Sequence, residues 1–101
     1  MTLDINLVRK GTTAEVQLTG YIDANNAKDV DEILIEVIGK FDKVILDMEN
    51  LKYVASAGLR AFKHAYMELR RKGGVLYAKN VNKMVMEVFE VTGFTRLIEF
   101  V

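Results

Sequence analysis

The fold turns on the stretch Lys43-Val44-Ile45-Leu46-Asp47-Met48-Glu49-Asn50-Leu51-Lys52-Tyr53-Val54-Ala55-Ser56-Ala57-Gly58-Leu59-Arg60. Within it, Val44-Ile45-Leu46 is apolar and rich in β-branched side chains, as expected of a central strand covered on both faces or at least flanked by neighbours, and Asp47 closes it. Beyond Ser56 the period changes. Leu59, Phe62, Ala65, Tyr66 and Leu69 fall on one helical face, while Arg60, Lys63, Glu68 and Arg71 fall outside it. A buried strand thus leads into an amphipathic helix that starts near Ser56, and Gly73-Gly74 supplies a left-handed stop.

Upstream, Leu3, Ile5 and Leu7 alternate with Asp4, Asn6 and Val8. After Lys10-Gly11-Thr12 a second alternation sets Ala14, Val16 and Leu18 against Glu15, Gln17 and Thr19. Period two on both sides of a glycine predicts a hairpin. From Ala27 the apolar positions Ala27, Val30, Ile33, Leu34, Val37 and Ile38 share a helical face, and that helix ends near Gly39. Downstream, Val75-Leu76-Tyr77-Ala78 reads as a strand. Asn82 is placed to cap a third helix with Val85, Val88 and Phe89 inside and Thr92-Gly93 at its end. Arg96 to Phe100 fits a last strand or a short helix-like tail. The order is roughly ββαβαβα with a short final element, an α/β (α+β) fold in which a mixed sheet of about four to five strands carries three to four helices.

At 101 residues there is room for one domain, 1–101, with one core. No apolar run approaches the ~20 residues of a membrane-spanning helix, so membrane insertion is not expected. The start Met1-Thr2-Leu3-Asp4 is unlike a signal peptide, and a cytoplasmic location is the expectation. Cysteine is absent, which removes disulfides, thiolate metal sites and cysteine nucleophiles. Fourteen basic and fourteen acidic residues cancel, so no positive field favours direct binding to nucleic acid.

The residues offer little to a catalyst. His64 is the single histidine, and it lies mid-helix with no nucleophile or orienting carboxylate near it in sequence. The carboxylates lack metal-loop spacing. Gly73-Gly74 follows a helix instead of preceding one, so it is no phosphate cradle and no cofactor is expected. Phe62, Tyr66 and Phe89 lie at helical spacing with aliphatics and read as core.

Ser56 remains, at the start of a helix. One reading is a plain N-cap, its oxygen accepting a backbone N–H for about 1 kcal/mol. The other begins from the same place, because a helix N-terminus presents N–H groups and partial positive charge, and tolerates a phosphate. Phosphorylation there would leave the fold standing and change the charge of one surface point.

Three segments resemble the STAS family, and within it the stand-alone anti-sigma factor antagonists, over nearly the whole chain. Leu18-Thr19-Gly20-Tyr21-Ile22-Asp23-Ala24-Asn25-Asn26-Ala27 is similar to the family's strand-to-first-helix signature. Val44-Ile45-Leu46-Asp47-Met48-Glu49-Asn50-Leu51 with Val54-Ala55-Ser56-Ala57-Gly58-Leu59 resembles its central strand and phosphoserine loop. Val88-Phe89-Glu90-Val91-Thr92-Gly93-Phe94 resembles its late helix and glycine turn.

The resemblance implies a non-enzymatic regulator. In its unphosphorylated form it would bind an anti-sigma factor serine kinase of the GHKL type and free a sigma factor. Phosphorylation of Ser56 would reverse binding, and a PP2C-type phosphatase would restore it. By the same resemblance Asp23, Ser56, Ala57 and Gly58 belong to the partner-binding surface. Asp23 also suits a cap of the first helix, with Asn25 as a competing cap. Gly58 would allow close approach of a partner or a tight first turn. Ala55 stands where the family often has aspartate or serine. A second implication is a STAS accessory subunit of a lipid or anion transport system, and a third is a nucleotide-binding sensor.

Overall fold

A two-residue turn sets the register of the first hairpin. Gly11 has φ +63°, and among the described non-glycine residues only Asn80 has a positive φ. A positive φ at the first central position alone is the type II′ turn, whose twist matches the strands it joins. Strand β1 (Leu3–Lys10) therefore pairs antiparallel with β2 (Thr13–Ile22), from Lys10 opposite Thr13 to Leu3 opposite Gly20. The computed structural model describes residues 2–101.

The chain continues through α1 (Ala27–Ile38), β3 (Lys43–Val54), α2 (Ser56–Arg71), β4 (Val75–Lys79), α3 (Lys83–Thr92), a 3-10 turn (Phe94–Arg96) and β5 (Glu99–Phe100). The sheet order is β1-β2-β3-β4-β5 with β2 to β5 parallel. Each parallel connection carries a helix and advances one strand in the same direction. Right-handed crossovers then bring the helices to one face. Burial agrees, since Val44, Leu46 and Met48 are buried while Ile45 and Asp47 between them are only partly covered. Of the two alternatives for this central strand, cover on both faces is corrected, since β3 has helices on one side only, and flanking neighbours are found, β2 and β4.

Asp47 does not close β3, which runs on to Val54. Gln17 pairs with Asp47 but Thr19 with Asn50, and Gly20 pairs with Leu51 but Tyr21 with Tyr53. Each step inserts one extra residue into β3, a β-bulge. The inward residues are consequently Leu46, Met48, Leu51 and Val54, and the strict alternation that marks a strand is lost from the sequence. The core is completed by an aromatic cluster under α2 and α3, with Phe62 edge-on to Phe89 at 6.5 Å and Phe89 to Phe94 at 4.9 Å. Asn82 caps α3 as expected, its side-chain oxygen accepting from Val85 N–H at 2.9 Å.

Glu15, placed on the polar side of β2 by the alternation, is only 3% exposed. Lys79 Nζ lies 2.8 Å and Lys10 Nζ 3.0 Å from its carboxylate. The hydrogen bond from Lys79 holds the Glu15 carboxyl below its ordinary range, with Lys10 adding to it and burial opposing both. A carboxyl whose folded pKa is depressed contributes stability that is present above its unfolded pKa, about 4.3, and lost as pH falls through the lower folded value. Glu15→Gln should therefore lower the unfolding midpoint at pH 7. The difference from wild type should shrink as pH is taken below the carboxylate range, as followed by thermal unfolding across a pH series.

Candidate functional site

The ends of β2 and β3 lie side by side because Ile22 pairs with Val54, and Ala55 N–H donates to Ile22 O at 2.8 Å. One residue beyond Ile22 stands Asp23; two beyond Val54 stands Ser56. The parallel register thus brings together two positions that are 33 residues apart in sequence.

Asp23 organises the β2–α1 loop. Its Oδ1 accepts from Asn25 N–H at 2.9 Å and Asn26 N–H at 3.0 Å, and Asn26 Oδ1 accepts from Asp23 N–H at 2.9 Å. Ala27 N–H then donates to Asp23 O at 3.1 Å. Reciprocal bonds between residues three apart, in the pattern of a capping box, thus close the turn just before α1. Asn26 also reaches back to Tyr21 O at 2.9 Å. The expectation that Asp23 or Asn25 caps α1 is corrected: the cap position is Asn26, which makes no side-chain cap bond, and Asp23 instead closes the turn that leads into the helix.

Ser56 is the first residue of α2. The flanking residue is Ala55, at φ −81° and ψ 169°, and the helix has no side-chain cap hydrogen bond. The reading of Ser56 as a plain N-cap is corrected: the extended cap position falls one residue earlier, on a side chain that cannot accept. The Ser56 side chain stands exposed, and the first intrahelical bonds run from Gly58 and Leu59 N–H to Ala55 O. Tyr53, 46% exposed, precedes it on β3, and Arg60 follows it one helical turn later.

Ala57 is half-buried against the core and Gly58 is buried. A Cβ at Gly58 would come within 2.6 Å of Ile22 Cγ2 and 2.8 Å of Val54 Cγ2. Gly58 faces its own sheet, so the close approach it permits is intramolecular.

Two shallow grooves flank this point. One, of about 250 Å³, is lined by Ser56, Leu59, Arg60, Lys63, Phe94 and Leu97, among others. The second lies between α1 and α2 beside Ala24, Ala57, Arg60 and His64. There His64 Nδ1 and Asp31 Oδ1 stand 2.7 Å apart. Asp31 is a carboxylate partner of His64 that lies 33 residues away in sequence and is brought to it only by the packing of α1 on α2. Ser56 lies eight residues from His64 on the same helix, about 12 Å along the axis, so the three side chains form no nucleophile–base contact. Among the described residues no group of three potential metal ligands is found, and no helix is long and apolar enough to cross a membrane.

Two stability changes follow from this geometry. Gly58→Ala should destabilise by about 1–3 kcal/mol through overpacking against Ile22 and Val54, measured by denaturant unfolding. Asp23→Ala should cost about 1 kcal/mol through its lost hydrogen bonds, and Asn26→Ala added to it should cost less than its own single effect, because both remove one reciprocal pair.

Known proteins share both sequence and fold with this chain. BtrV of Bordetella bronchiseptica is 35% identical over 78 residues, covering 76% of this chain and 67% of that protein. The anti-sigma-B factor antagonist of Bacillus subtilis is 21% identical over 99 residues, covering 98% and 91%. The anti-sigma factor antagonist SpoIIAA of Bacillus, solved unphosphorylated and phosphorylated, superposes with TM-scores of 0.77 and 0.76 at 19% identity. The two forms cover 99% of this chain, and 87% and 91% of the respective SpoIIAA chains. Residues 4–101 match the STAS domain model, and the chain belongs to the STAS domain family.

Proposed function

We propose that this chain is an anti-sigma factor antagonist that acts by exchanging partners and catalyses no reaction itself. Unphosphorylated, it binds an anti-sigma factor that is also a GHKL-type serine kinase, and so frees a sigma factor. The kinase transfers the γ-phosphoryl group of ATP to Ser56 Oγ, the hydroxyl proton passes to solvent, and ADP leaves. A PP2C-type phosphatase hydrolyses the ester and restores the serine.

The observation that carries this reading is the position of Ser56: exposed, first in α2, and free of any capping bond. A phosphate there adds about −1.5 to −2 charges at a helix N-terminus, where the dipole favours an anion. Arg60, one turn along, is a charged donor within reach of such a group. Neither effect disturbs the core, which begins at Gly58 beneath. The surface around Ser56, by contrast, passes from a neutral hydroxyl to a phosphate of about −1.5 to −2 charges that a partner would have to desolvate. The family membership and the name of the Bacillus subtilis relative support the same reading. Asp23, Ser56, Ala57 and the turn held by Gly58 are then the centre of the partner surface.

The test uses the kinase that immobilised wild-type chain retains from a lysate of its native cells. In calorimetry with that kinase, Ser56→Ala should bind within a few-fold of wild type. Ser56→Glu should bind at least about tenfold more weakly, a difference of about 1.4 kcal/mol. Equal affinity of the kinase for both variants would sink the proposal.

A further inference from the structure

The two edges of the sheet are unlike. At one end β5 is a strand of two residues, Glu99–Phe100, too short to template another chain. At the other, β1 presents eight residues without proline or bulge. Long unprotected edges pair with other strands unless something blocks them.

We propose that β1 pairs antiparallel with β1 of a second copy, about a two-fold axis at Leu7, to give one continuous ten-stranded sheet. The hydrogen-bond polarity of the edge comes first. The two-residue turn makes Lys10 and Thr13 a mutually bonded pair, so Val8, Asn6 and Asp4 likewise bond inward to β2. Tyr21 N–H to Thr2 O, at 3.0 Å, continues the same parity. The N–H and C=O groups of Leu3, Ile5, Leu7 and Arg9 consequently point outward. With Leu7 opposite Leu7 of the second copy, and Ile5 opposite its Arg9, these outward groups meet one another.

Charge selects that register among those the parity allows. Asp4 falls opposite Lys10 of the second copy, on the sheet face that carries no helices, and the symmetry makes two such pairs. A shift of two residues either way sets Asp4 against Val8 or Thr12 instead. On the helical face, Arg9 of the second copy lands opposite Ile5, beside Asp29 and Glu32 of α1, which line the same surface hollow as Ile5. Opposite charges directly across strands stabilise and like charges destabilise.

The apolar surface fits the same axis. Leu7 is 45% exposed and Ile33, on α1 next to it, is 37% exposed although its position in the helix is on the apolar face. Both line a groove of about 170 Å³ with Ile5, Val16, Val37 and Phe41. A second copy brings Leu7 and Ile33 against Leu7 and Ile33, an isologous contact of the kind closed two-fold dimers use.

Sedimentation equilibrium of the wild-type chain should show a reversible monomer–dimer equilibrium. The chain contains no cysteine, so single cysteines report the register directly. Leu7→Cys should oxidise to a covalent dimer, because paired Cα atoms in a bonded antiparallel pair are about 5.5 Å apart. Asp4→Cys should not, because its two copies would stand six residues apart along the strands, about 20 Å. Asp4→Lys should raise the dimer dissociation constant at least tenfold while its thermal melting stays that of the wild-type monomer. A chain that remains monomeric up to millimolar concentration overturns the proposal. So does a dimer that cross-links through Asp4→Cys and not Leu7→Cys, or one indifferent to Asp4→Lys.

Discussion

Because Gly58 has no side chain, the first turn of α2 can rest on Ile22 and Val54, the last paired residues of β2 and β3. That contact fixes more than a helix. It sets where β3 ends, which residue takes the extended cap position, and which residue comes first in the helix. Ala55 takes the cap, and its N–H is bound to Ile22 O. Ser56 is thereby left with an unoccupied hydroxyl on a rigid support. The neighbouring loop is held just as firmly by the Asp23–Asn26 pair. The phosphate proposed for Ser56 would thus be added on a rigid base, where strain passed into a close-packed core would otherwise be felt throughout it.

The second constraint is that the helices crowd one face of the sheet. Helices on both sides would have buried Ile45 and Tyr77, which are only partly covered here. Here the uncovered face is managed with charge. Glu15 is buried with Lys10 and Lys79 both paired to its carboxylate. Such a clamp gives β2 and β4, which are not neighbours in the sheet, a tie across β3.

Local pattern made most of the elements legible. The hairpin, the three helices and the Asn82 cap are written in periods and in residues with one physical use. The second half of β3 was not legible, because two bulges turned alternation into a spacing of three. Ile33 departs from its pattern for another reason: it belongs to the apolar stripe of α1 but lies at the rim, beside Leu7 of β1. At the site, Asp23 and Ser56 could be named from their places before helices. Asn26 could have been found as well, three residues after Asp23. Asp31 could not, since nothing local joins it to His64.

By itself the sequence determined the order of elements, the charge balance and the candidate serine, because periodicity, capping and composition act between residues near in the chain. Only the tertiary structure decided that Ser56 is not the cap, that Gly58 serves its own sheet, and that Glu15 is buried. Each of these depends on which strand lies beside which and at what register. Pairing Ile22 with Val54, or Glu15 with Ile45, joins residues about 30 apart, and no local propensity carries that choice.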